Sequence, residues 1–112
     1  MFHYDIVRHK VLLMARQLGL GGTERQLAEL ALSLDRDQFE PHVGCFTSGG
    51  FRAAELRAAG VPILELGVRS LLSGSVVEGA RRMGAYLARH DIALVHAFDV
   101  PLDLFEIGRA HV

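Results

Sequence analysis

The sequence predicts an α/β fold, a doubly wound parallel sheet, and three observations predict it. Short continuous apolar runs alternate with stretches whose apolar residues recur at helical spacing, giving strand–helix three times over and a final strand. The connections between them are brief and are marked by glycine, proline or serine. Of the 112 residues 50% are apolar and 22% charged, which suffices for one small domain with a real core and is too little chain for two. Alternation of this kind implies right-handed crossovers between parallel strands. In the common order 3-2-1-4 the direction of winding reverses between strands 1 and 4, and ligands bind at that switch point, outside the carboxyl ends of the strands.

Residues 1–9, mixed and polar, read as an N-terminal extension. The first strand is VLLMA, Val11 to Ala15, a continuous run as expected of a strand covered on both faces. A helix then begins at Thr23, where Thr23 and Gln26 have the spacing of a capping box. Leu27, Leu30, Ala31 and Leu34 give it a single apolar stripe, and Asp35 to Glu40 is a polar connection. HVGCF, His42 to Phe46, is the second strand, closed by the turn-like TSGG. Phe51 to Ala59 is the second helix, with Gly60 just past its end and Pro62 as a stop. PILEL is the third strand. Ser73 or Ser75 can cap the third helix, whose stripe is Val76, Ala80, Met83 and Leu87, and IALVHAF, Ile92 to Phe98, is the fourth strand.

Composition excludes several classes of function. Net charge is −1 and the pI about 6.6, with no strongly basic face, so nucleic acid is not an expected partner. Cys45, alone in an apolar run, reads as a small core residue in a reducing compartment. The run VLLMA is too short for a signal-peptide core or a membrane span, so the expected location is cytoplasmic, with contact to a membrane surface left open. His3, His9, His42 and His90 lack metal-ligand spacing and read as solvated surface, as does the pair Arg81 and Arg82. No metal site is expected.

The stretch LGLGGTERQL carries the chemistry. Gly21 and Gly22 lack Cβ atoms, so their amides can approach an oxyanion and can adopt positive φ, and the helix beginning near Thr23 adds unpaired N–H groups and a positive dipole end. A diphosphate is the natural guest; the alternative is a tight turn and nothing more. A dinucleotide fingerprint fails at Glu24, where a third small residue is required, and the Gly-Lys-Ser/Thr of a Walker A loop is absent. Glu24 suits the helix dipole, and Arg25 reaches either an anion or solvent. His96, near the end of the fourth strand, reads as hydrogen-bonded core or as a catalyst. Asp99, just past that strand, suits a substrate hydroxyl or the cap of a following helix. In the order 3-2-1-4 the loops carrying these residues converge on one crevice.

Taken together, LLMARQLGLGGTERQLAELALSL, FEPHVGCF, ELRAAGVPILEL and ALVHAFDVP resemble the N-terminal domain of family 4, GT-B type glycosyltransferases, over Lys10 to Phe105. The resemblance implies a Rossmann-like acceptor-side domain of a two-domain enzyme whose second domain holds a nucleotide-sugar donor. It implies transfer with retention and no metal or other cofactor. Gly21 and Gly22 would meet the donor diphosphate across the cleft, with Thr23 capping the helix behind them. Glu24, Arg25, His96 and Asp99 are the acceptor-side candidates, facing a sugar or a lipid-linked acceptor. Many members carry His-x-His after strand 4; the second position here is Phe98. No catalytic residue is expected within these 112 residues, because the donor-binding carboxylates and basic groups belong to the second domain.

The end of the chain departs from that pattern. Ile107 to Val112 matches the translation of ATC GGA AGA GCA CAC GTC, a widely used sequencing-adapter read whose next codon is TGA, and its leading AG would complete a codon for Glu106. The expectation is therefore a domain truncated near Phe105, an incomplete sheet, a non-native tail over 106–112, and a marginal, inactive, aggregation-prone product. The alternative is a stand-alone Rossmann-like module that binds a phosphorylated small molecule.

Overall fold

The structure, a computed structural model, describes residues 8–19, 21–47, 50–69 and 74–98. Its elements are β1 (His9–Ala15), α1 (Gly22–Ser33), β2 (Phe39–Cys45), α2 (Phe51–Ala58), β3 (Ile63–Glu65), α3 (Ser75–Arg89) and β4 (Leu94–Ala97). The four strands form one parallel sheet in the order β3-β2-β1-β4, as the alternation of elements predicts. This is a doubly wound, Rossmann-like arrangement. Leu13 and Ala15 point toward α1 and α2, packing with Leu27, Ala31, Ala53 and Leu56. Leu12 and Met14 point the other way, into Ala80 and Met83 of α3. The run VLLMA is apolar throughout because period-two alternation sends its side chains into two different cores.

Several boundaries differ from the expected ones. β2 starts at Phe39, because Phe39 to Pro41 pair with His9 to Val11. Pro41 is tolerated there: the Val43 N–H bonds Pro62 O on the β3 side, and two residues earlier the proline nitrogen faces the same way, before β3 has begun. Helix α1 begins at Gly22 with Gly21 as its cap, not at Thr23. Helix α3 is preceded by Gly74 rather than capped by serine; the Ser75 hydroxyl accepts the Arg69 N–H at 3.1 Å, and Ser73 lies outside the described residues. Gly60, as predicted, terminates α2 in a left-handed conformation with φ of 79°. Strand β4 is short and lies at the sheet edge; Leu94 and His96, on the face that α1 and α2 leave open, are exposed.

His42 is not solvated surface. It is 2% exposed, the one buried polar side chain among the described residues. Its Nε2 lies 2.7 Å from Glu40 Oε2, and its Nδ1 lies 2.5 Å from the Tyr86 hydroxyl. Glu40 is ionised, its pKa held below the ordinary 4.5 chiefly by the hydrogen bond from His42, so it can only accept. Nε2 therefore carries the proton, and in the neutral imidazole Nδ1 accepts from Tyr86 O–H. The triad ties β2 to α3 across the sheet and satisfies every polar atom it buries. Because the folded pKa of Glu40 is depressed, its stabilisation is fully present above about pH 4.5 and is lost as pH falls through the folded value. We expect Glu40→Gln to be less stable than the parent at pH 7 and the gap to close below about pH 4.5 in urea titrations; a pH-independent gap would contradict this.

Gly50 fixes the other end of the sheet. Its φ is 104°, and a Cβ there would overlap the Leu18 carbonyl. That carbonyl accepts the Arg52 N–H at 3.0 Å, seating α2 against the loop after β1, where Leu18 is fully buried. We expect Gly50→Ala to cost at least about 2 kcal/mol, from positive φ plus the clash, measured as a lowered urea midpoint.

Candidate functional site

Three connections meet at the carboxyl ends of the strands, and backbone hydrogen bonds hold them there. The Arg16 carbonyl accepts the Phe46 N–H at 2.9 Å, joining the ends of β1 and β2. Leu18 is tied to α2 through Arg52, and the Phe98 N–H bonds Met14 O at 2.6 Å, holding the end of β4 beside β1. The chain leaves β1 toward the α1–α2 face but reaches β4 from α3 on the opposite face, so the two windings part between β1 and β4. This is the topological switch point.

The glycine pair lies at that point, at the start of α1. The Gly22, Thr23 and Glu24 amides form the helix's first turn and have no intrahelical acceptor, and the first helical bond runs from Arg25 N–H to Gly21 O at 3.0 Å. The expected use of positive φ is not what the glycines do. Gly21 has φ −64° and ψ 167°, an extended conformation open to any residue, and Gly22 is likewise not left-handed. The two differ in what surrounds them. A Cβ on Gly21 would lie 2.5 Å from Glu24 Oε2, whereas a Cβ on Gly22 would meet nothing within 4 Å among the described residues. Among those residues nothing therefore demands a glycine at position 22.

Glu24 is the cap. Its carboxylate accepts the Gly21 N–H at 2.8 Å, the side-chain half of a capping box displaced two residues upstream from the Thr23–Gln26 pair that spacing suggests. The arrangement places an anion at the helix N-terminus, next to the amides of Gly22 and Thr23. Arg25 pairs with Glu29 at 3.0 Å on a face where both side chains are about two-thirds exposed. His96 is exposed, not hydrogen-bonded core; its ring stacks on Phe98 with centroids 4.5 Å apart and planes 14° apart. Phe98 in turn packs against the α1–α2 core, so the position that breaks the His-x-His pattern supports His96 with an aromatic face. Asp99 lies outside the described residues. Cys45, at the end of β2, is a buried thiol pushed up to about 11 by burial, which keeps it protonated and inert.

Arg52 also belongs to this end of the sheet. It occupies the first turn of α2, its guanidinium pairs with Glu55 at 3.2 Å, and its Nε is buried without a hydrogen-bond partner. An arginine in a first turn runs against the helix dipole, and that was the signal available in the sequence. Among the described residues no group of three or more His, Cys, Asp or Glu side chains is placed to hold a metal ion, and no helix is long and apolar enough to cross a membrane.

No protein-family model matches the chain, and no curated protein matches it in sequence. Among solved structures the chain is similar to a glycosyltransferase from Rickettsia africae ESF-5, with a TM-score of 0.76 and 19% sequence identity. The match covers 97% of this chain and 28% of that one, so the chain spans little more than a quarter of its neighbour's length. At that identity the likeness establishes the fold.

The two residues of the loop separate in their expected effects on stability. Gly22→Ala is expected to leave the folding free energy unchanged or raise it by up to about 1 kcal/mol, since alanine suits a helix and has room. Glu24→Ala removes the cap and is expected to cost about 1 kcal/mol. Urea midpoints of the two variants measure both; a large loss in Gly22→Ala would show that the fold needs that glycine.

Proposed function

We propose that this chain is the N-terminal, acceptor-side domain of a GT-B, family 4 glycosyltransferase, which transfers a sugar from a nucleotide-sugar donor to an acceptor with retention and without a metal. The observation that carries the proposal is the open setting of Gly22, at a helix N-terminus on the switch point, where no contact among the described residues calls for glycine. The likeness in fold to a glycosyltransferase of more than three times this length supports it.

In this reading a second domain brings the donor across the cleft. The bond between the anomeric carbon and the diphosphate breaks, the acceptor oxygen bonds to that carbon on the same face, and the acceptor's proton leaves with the diphosphate. The charge that builds on the diphosphate is stabilised by the amides of Gly22 and Thr23 with the α1 dipole. Only a residue without a Cβ lets the diphosphate approach so closely. The Glu24 carboxylate already occupies the Gly21 N–H, which leaves the Gly22 and Thr23 amides as the donors open to the diphosphate. His96, stacked on Phe98, lines the acceptor side with Glu24 and Arg25 at its border, and Asp99 is the further acceptor-side candidate.

Two measurements test this. In the two-domain enzyme, Gly22→Ala is expected to lower kcat/KM by about tenfold or more, equivalent to at least about 1.4 kcal/mol, with an unfolding midpoint unchanged or raised. Unaltered kcat/KM would remove Gly22 from the mechanism. The 112-residue chain alone is expected to show no saturable binding of UDP, ADP or GDP at millimolar concentration. Saturable binding there would support a stand-alone module for phosphorylated small molecules instead.

A further inference from the structure

Away from the glycine loop, α3 and the edge strand β3 line an open cleft of about 310 Å³. It is lined by half-buried Leu64 of β3, Tyr86 of α3 and His90, and by Arg82, Ala85 and Arg89, which are exposed and form its rim. The residues of α3 recur at 82, 85–86 and 89, which places them on one stripe of the helix. Because α3 runs opposite to the strands, its last turn lies toward their amino ends, at the far end of the sheet from Gly22.

We propose that this cleft binds a small anion carried on a flat apolar body, of the chemical class of an aryl phosphate. Three features support this, none of which depends on the glycosyltransferase reading. First, the aromatic wall is preorganised. The Tyr86 hydroxyl is held by buried His42, which is itself held by Glu40, and the His90 ring lies against Tyr86 with centroids 4.1 Å apart. A wall already fixed in the free protein loses little entropy when a flat ligand packs against it.

Second, the rim carries uncompensated positive charge. Glu78 is shared between Arg81 and Arg82, at 3.2 and 3.4 Å, and Arg89 has no carboxylate partner among the described residues. Glu40, the acid behind the wall, is already engaged by Arg8 at 2.9 Å and by His42. Guanidinium groups one turn to either side of an aromatic ring match an anionic head with donors in a fixed fork while the ring takes the apolar body. Third, the cleft is shallow and open to solvent, with room for a single ring against Tyr86 while a charged head group stays at the exposed arginines.

The test uses the full 112-residue chain with phenyl phosphate, inorganic phosphate and phenol as probes, followed by backbone and side-chain NMR shifts. Phenyl phosphate is expected to saturate, with shifts centred on Tyr86 and His90, and to bind roughly tenfold or more tighter than either inorganic phosphate or phenol. The doubly substituted Arg82→Gln, Arg89→Gln chain is expected to weaken phenyl phosphate about tenfold or more, with the unfolding midpoint retained. Ala85 is exposed on the helix, and Ala85→Glu, which puts a carboxylate into the cleft, is expected to abolish binding while leaving both arginines in place. Equal binding of inorganic phosphate, shifts centred on Gly21 to Arg25, or affinity unchanged in either variant would each overturn the proposal.

Discussion

Strand β1 is the constraint on which the rest of the molecule depends. It is paired along both edges, to β2 and to β4, and buried on both faces, so each residue from Leu12 to Ala15 is committed to one of two cores. A strand in that position cannot turn directly into a neighbour; its chain must cross over by a helix on one face, and the chain returning to its other edge must come by a helix on the opposite face. The crevice at the end of β1 follows from that requirement. So does the position of the α1 N-terminus, with its unpaired amides, at the mouth of the crevice.

The two ends of the sheet then acquire different character. At the carboxyl end the backbone is tied down by its own hydrogen bonds through Arg16, Leu18 and Met14, while the first turn of α1 still presents N–H groups outward. At the amino end polar groups are turned inward, with Glu40, His42 and Tyr86 satisfying one another between β2 and α3. The glycines differ in what the packing asks of them. Gly50 and Gly79 are set by packing: a Cβ on the first would overlap Leu18 O and on the second Val68 Cγ2. Gly22 and Gly74 meet no such contact among the described residues. Of these two, Gly22 is the one that follows β1 at the switch point, and openness together with that position is the basis of the proposed diphosphate site.

Much of the architecture was legible in the sequence because it rests on local signals: the unbroken run VLLMA, the helical stripes beginning at Leu27 and Val76, and the stop formed by Gly60 and Pro62. These fix the number, order and type of elements, and the strand order is the common one for such alternation. What was not legible depends on partners distant in sequence. His42 looks solvated until Tyr86, 44 residues later, is brought to its Nδ1. Phe39 to Pro41 look like a polar connection until β1 supplies the ladder that recruits them. The cap of α1 was misplaced because glycine, with no side chain, gives no visible cap signal, although Glu24 stands three residues beyond it. The switch point was foreseen from topology alone. The exposed setting of His96 was not, because an apolar run does not tell which of its faces a neighbouring helix will cover.

The central claim, that this chain is one domain of a two-domain glycosyltransferase, is tested most directly by sequencing the source DNA outward from the Phe105 codon. The account predicts an open frame that continues past Phe105 through a further helix and strands into a second α/β domain. Recovery of the EIGRAHV codons followed by a stop, from independently prepared DNA, would contradict it and leave a small binding module in its place.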